Sequence, residues 1–214
     1  MSLSPSSLVL GLLLAGLLPF ALMLLTSFVK IAVVLSLVRS ALGASQVPPS
    51  GVITGLALAL SLCVMYPVAA EVGSRLQADW PALSEGPTEH SLAALARAAE
   101  PLEEFLQRHT RPEHLLRIQR LVGGDAGPSW RALVPAFVIG QLHDAFRLGF
   151  AIFLPFLVLD MLVANVLLSL GMHMLSPAGV ALPFKLLLFA LADGWTLLAE
   201  NLLGQFQAGG GPWS

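Results

Sequence analysis

Residues 133–203 read LVPAFVIGQLHDAFRLGFAIFLPFLVLDMLVANVLLSLGMHMLSPAGVALPFKLLLFALADGWTLLAENLL, and the interpretation of this stretch decides the fold of the whole chain. Its centre is the turn Gly171-Met172-His173-Met174-Leu175-Ser176-Pro177. The long apolar segments on either side carry Asp144, Arg147, Asp160, Asn165, Lys185 and Asp193. A charge at mid-bilayer costs at least ~2.5 to 3.5 kcal/mol, so groups of this kind face a bundle interior or an aqueous path. A methionine-bearing turn between two such segments therefore reads as part of a conduit.

The remainder of the chain supports a membrane setting. Of its 214 residues 56 % are hydrophobic and only 11 % are charged, against about 25 % charged in soluble domains. A formal net charge of -2 offers no clustered basic surface for nucleic acid. The single cysteine, Cys63, cannot form an intramolecular disulfide and lies outside any metal-ligand spacing. No Lys or Arg precedes Lys30, so the basic start of a secretory signal is missing and the N-terminal segment is expected to be retained.

Taken in order, residues 1–70 form an N-terminal apolar helical hairpin. Leu8 to Val29 is long enough to span a bilayer, and the apolar character continues to Val38. One helix over that whole run would measure roughly 46 Å, beyond a ~30 Å hydrocarbon core, so it must tilt, kink or leave the bilayer. Pro48-Pro49 breaks the chain before a second uncharged run, Gly51 to Ala70, in which Gly51 and Gly55 offer a small-residue face.

Residues 71–131 are the water-facing module, because the charged residues concentrate there. Leu92, Leu95, Ala96, Ala99, Leu102, Phe105 and Leu106 recur at helical spacing and are expected on one buried face. Pro101 is expected to start a second helix, and Pro112 a third that ends near Gly123-Gly124. His109 and His114 are five apart, which does not stack them as zinc ligands, so no metal site is expected.

Residues 132–206 form C-terminal apolar hairpins around the turn, followed by a flexible tail over 207–214. Forty apolar residues as one helix would be roughly 60 Å long, so two pieces are expected, bending at Gly149 and Pro155. Asp144 and Arg147 are spaced to pair along one face. Lys185 is placed to snorkel towards an interface. Asp193-Gly194-Trp195 reads as a polar, close-packed point near a membrane boundary. Lys30 and Arg39 flank the first loop, which favours that loop in the cytoplasm and the 71–131 module outside.

Signatures of catalysis are absent: there is no Gly-x-x-x-x-Gly-Lys loop, no Gly-x-Ser-x-Gly elbow and no His-Glu-x-x-His helix. The composition and periodicity thus predict an all-α, integral-membrane-type protein that is not an enzyme and needs no cofactor.

Specific strings then point to one family. Ser27-Phe28-Val29-Lys30-Ile31, Leu37-Val38-Arg39-Ser40-Ala41-Leu42-Gly43, Gln46-Val47-Pro48-Pro49 and Val64-Met65-Tyr66-Pro67-Val68 occur in its order and spacing. So do Phe153-Leu154-Pro155-Phe156, Asp160, Gly171-Met172, Met174-Leu175-Ser176-Pro177, Leu182-Pro183-Phe184-Lys185 and Asp193-Gly194-Trp195. The chain resembles the R subunit of the type III secretion export apparatus (the SctR family), related to the flagellar export protein FliP.

That resemblance implies a homo-oligomer, a pentamer by analogy, forming a helical ring or cone with the S and T subunits. It would conduct unfolded secreted proteins across the bacterial inner membrane towards the inner rod and needle, beside the large export-gate subunit, with the 71–131 module periplasmic. The family's methionine constriction maps onto Met172 and Met174, with His173 between them. Unbranched thioethers close around varied side chains and then yield. A ring of imidazoles at His173 would be wetter and sensitive to pH.

Asp144, Arg147, Asp160, Asn165, Lys185 and Asp193 would hold hairpins together, with Asp160 and Lys185 as a candidate ion pair. Gly140-Gln141 departs from the family's usual Ser-Glu. Ser27-Phe28-Val29-Lys30, Asn165 and the short N-terminus favour the injectisome branch over the flagellar one. The rival reading is a small-solute or ion transporter using Asp144, Arg147 and Asp160, although no internal repeat accompanies them.

Overall fold

A computed structural model of the chain describes residues 12, 16–17, 19–43, 48–81, 89–123 and 129–207. The tail from Gly209 and part of the Gly43 to Ser50 loop lie outside them. Every described element is a helix: α1 (Pro19–Leu25), α2 (Phe28–Leu42), α3 (Ser50–Ala78), α4 (Glu89–Arg108), α5 (Pro112–Val122), α6 (Trp130–Ser169), α7 (Pro177–Leu191) and α8 (Gly194–Gln207). Two of them, α3 and α6, are long and apolar enough to cross a membrane, and the pairs α1–α2 and α7–α8 would qualify as bent spans.

The long N-terminal run kinks. α1 and α2 meet at 81°, where Thr26 and Ser27 offer hydroxyls that compete with the backbone ladder. Thr26 Oγ1 accepts the Phe28 N–H at 3.3 Å, and the fully buried Ser27 donates to Ser61 Oγ on α3 at 3.1 Å. The kink is thereby pinned to the second apolar helix.

α2 is the centre of the core. Its Ile31, Val34, Leu35, Val38 and Leu42 pack with Leu133, Phe137, Ala145 and Phe156 of α6 and Ile53, Ala57 and Leu60 of α3. Contact is closest at Gly149, where an added Cβ would run into the Leu37 side chain. This corrects the expectation of a bend there: the missing side chain lets α2 approach, and α6 runs through Gly149 and Pro155 as one 40-residue helix. A proline costs an interior helix one donor and some ring clearance. Packing by α2 on one stretch and α7 on another holds α6 together despite that cost.

The charged module differs from its sequence reading in two places. α4 continues through Pro101, which is buried within it instead of starting a new helix. Pro101 has no N–H for the carbonyl of Arg97, four residues earlier, and Arg75 of α3 supplies the missing donor at 3.0 Å. The same guanidinium bonds Glu100 at 2.6 Å and Glu71 at 2.7 Å, while Arg97 pairs with Asp79 at 3.1 Å.

Second, α4 buries Ser91, Ala94, Ala98, Pro101, Phe105 and Leu106, while Leu92 and Leu95 stay exposed. Small residues bring α4 close to α3, which rotates the leucines outward. α5 starts at Pro112 and stops at Gly123, whose φ of 73° takes the left-handed form that favours glycine.

Candidate functional site

The α6–α7 hairpin ends in a tightly built turn. Gly171 has φ 73° and its N–H bonds the Leu168 carbonyl at 3.0 Å, while the Met172 N–H bonds the Leu167 carbonyl at 2.9 Å. This is the Schellman arrangement, which satisfies the last carbonyls of a helix and needs a left-handed residue that glycine supplies. Ser176 and Pro177 then start α7, proline fitting the first helical position because its missing N–H would be unpaired there anyway. The turn projects its apolar side chains outward: Met174 is 98 % exposed and Met172 44 %, with His173 exposed between them.

Below the tip, the hairpin is anchored by charge. Lys185 of α7 is 4 % exposed, and its ammonium donates to Asp160 Oδ2 of α6 at 2.6 Å and to the Ala41 carbonyl of α2 at 3.1 Å. Lys185 therefore does not snorkel; it is drawn inward by a carboxylate and by the carbonyl end of α2, where a helix dipole favours a cation. Gly43 sits against it, the position where a Cβ would stand being 3.8 Å from Nζ. One lysine thus joins three helices.

A second polar node lies where α5 meets α6. Arg111 donates to Asp144 Oδ1 at 2.6 Å, and His143 Nδ1 lies 3.5 Å from the same oxygen. Sequence spacing offers Asp144 the side chain of Arg147, one turn along the same helix. The structure brings it Arg111 from the charged module, whose extended backbone before Pro112 aims that side chain at α6. Arg111 was overlooked because a charge run reads as a solvated face; the Arg-Pro step that starts α5 was the available signal.

Gln141 donates to the His109 carbonyl at 3.1 Å, and the ring nitrogens of His109 face the carbonyls of Phe105 (2.8 Å) and Phe206 (3.2 Å). These contacts tie α4, α6 and α8 below the module.

The remaining candidates lie on the outer faces of α6 and at the α7–α8 break. Arg147 and Asn165 lie on exposed faces of α6. Asp193 occupies the break between α7 and α8, which meet at 59°. Its φ is 50°, and its Oδ1 accepts the Thr196 hydroxyl at 3.1 Å. Beside it, an added Cβ on Gly194 would strike the Phe189 ring, which stacks edge-on with Trp195 at 5.0 Å. Among the described residues no three His, Cys, Asp or Glu side chains gather as a metal site.

Much of the exterior is apolar. Phe150, Leu154, Met161 and Leu162 on α6 and Phe184, Leu187 and Leu191 on α7 are more than half exposed. Exposed apolar patches beyond a few hundred Å² mark membrane or protein contacts.

An all-helical protein with spanning-length helices, buried ion pairs and an apolar exterior is a membrane protein. Within that class the chain belongs to the FliP family, whose model matches residues 11–202. It is 44 % identical over 195 residues to the flagellar biosynthetic protein FliP of Pectobacterium carotovorum, covering 88 % of this chain and 74 % of that protein. It is 41 % identical over 197 residues to FliP of Bacillus subtilis, covering 88 % and 86 %. The virulence protein YscR of Salmonella typhimurium is 40 % identical over 215 residues, covering 95 % and 97 %. The protein is a component of the flagellar and type III secretion class of export apparatus. Similarity reaches both branches alike, and these relatives carry the names of biosynthetic and virulence proteins, none of them a solute transporter.

Proposed function

We propose that this chain is a pore-forming subunit of the export gate, in the injectisome branch, whose copies surround a channel for unfolded secreted proteins across the bacterial inner membrane. The observation that carries the reading is the hairpin tip: a rigidly capped turn that holds Met172 and Met174 away from its own core. An isolated chain has no use for a fully exposed methionine on a braced support. Repeated around an axis, such tips form a ring of flexible thioethers that seals against ions and deforms around passing side chains. His173 stands in the same turn and sets how wet that ring is.

The ring would be five-fold by family analogy and completed by the S and T subunits. The large export-gate subunit lies on the cytoplasmic side, and the rod and needle beyond. The 71–131 module faces the periplasm. Asp160–Lys185 and Arg111–Asp144 fix each copy's hairpins, with Asn165 on the outer face of α6 turned towards neighbouring chains.

The test uses the assembled complex and a secreted protein fused to a domain that cannot unfold, so that the chain stalls in transit. A photo-crosslinking residue in place of Met174 is expected to capture the stalled polypeptide, whereas the same residue in place of Leu92 is not. Capture at Leu92 alone, or at neither position with export intact, would refute the channel position of the tip.

A further inference from the structure

Beneath α8 lies a cavity of about 220 Å³ lined in part by Lys30, Arg108, Arg111, Gln141, Asp144 and Phe206. Its charges do not balance. Arg108 is taken by Glu104, and Asp144 is taken by Arg111 at 2.6 Å. Lys30, 4 % exposed, has no hydrogen bond or ion pair among the described residues, and the carboxylate that attracts it through space, Asp144, is already bonded to Arg111; its ammonium rests 5.0 Å over the Phe206 ring. A buried ammonium without an anion of its own is strongly unfavourable, and a single aromatic face offsets only part of that. The site lacks one negative charge.

An anion with the opposite deficit stands on the outer side of the same helix. Glu200 is exposed on α8 and has no hydrogen bond or ion pair among the described residues. Thr196, Asn201 and Gly204 share that outer side, and nothing lies within 4 Å of a Cβ added to Gly204. This strip is polar, whereas the exposed faces of α6 and α7 beside it are largely apolar, so it suits a protein neighbour better than lipid. Leu198, Leu202 and Phe206 face inward towards the cavity side. A cation short of an anion and an anion short of a cation therefore occupy opposite sides of one helix. That arrangement is self-complementary in a head-to-tail contact, the kind that closes into a ring or winds into a helix.

We infer that the Lys30 cavity is a docking site for the Glu200 carboxylate of a neighbouring copy of this chain. The inference rests on the multimeric reading above and adds to it the contact that sets which side of each copy meets the next. Seating Glu200 completes the charge of the cavity.

Two measurements on the complex formed with its partner subunits test this. One copy carries Lys30→Cys and another Glu200→Cys, both in a Cys63→Ser background, and a short bifunctional thiol reagent is added. A mixed dimer is expected, and its absence from intact multimers would overturn the pairing. Separately, Glu200→Gln, an exposed change that spares the fold of each copy, is expected to lower multimer yield at least about tenfold. An unchanged yield would overturn the pairing while leaving the export-gate reading in place. Failure of the unsubstituted chain to form any multimer with its partners would instead sink that reading, and this inference with it.

Discussion

Lys185 and Met174 belong to one hairpin, yet the lysine is 4 % exposed and the methionine 98 %. The usual distribution is inverted, and the inversion divides the work of the hairpin. Charge that cannot be left in lipid is used inside, where one ammonium ties α2, α6 and α7 through Asp160 and the Ala41 carbonyl. Apolar surface that a soluble protein would bury is displayed outside, on a turn held by its own backbone hydrogen bonds. The anchor determines the shape of the chain, and on the function proposed above the tip acts where copies meet. Substitutions at the two ends should therefore separate stability from transport.

The largest effect is expected at the anchor. Lys185→Met leaves the Asp160 carboxylate without its cation and should cost about 3 kcal/mol, read as thermal unfolding in detergent. Adding Asp160→Asn should return most of that loss, because the unpaired charge is what destabilises. Arg111→Met removes the charged hydrogen bond to Asp144 and is expected to cost about 2 kcal/mol, loosening α5 from α6 so that its amides exchange faster. Gly149→Ala pushes a methyl group into Leu37 and should cost about 1 to 2 kcal/mol of overpacking strain, read in the same unfolding assay. The smallest effect on stability belongs to the tip: Met174→Ser is expected to change it by no more than about 0.5 kcal/mol. A tip substitution as damaging as Lys185→Met would contradict this division between anchor and tip.

Much of this arrangement was legible in the residues. Spanning lengths, the start of α5 at Pro112 and the Asp160–Lys185 pair follow from run length, proline position and the penalty on lone charges. What escaped the sequence depended on partners distant in the chain. Gly149 reads as a hinge until Leu37 is seen to need the space. Pro101 reads as a helix start until Arg75 is found supplying the donor that Arg97 lacks. Lys185 reads as a snorkelling cation because the end of α2 that receives it lies 144 residues away. Leucine spacing points to the wrong face of α4 because alanines, carrying little hydrophobic signal, pack closest. Arg111 and Lys30 were hidden for the same reason: their surroundings are assembled by α6 and α8, not by their sequence neighbours.

The central claim is that the exposed methionines seal a channel formed by several copies. Ion leak through vesicles carrying the assembled complex, measured for the unsubstituted chain and for Met172→Ala with Met174→Ala, tests it most directly. The account predicts a tight complex in the first case and a clear leak in the second, with multimer yield unchanged. Equal, low leak from both, with the multimer intact, would contradict it.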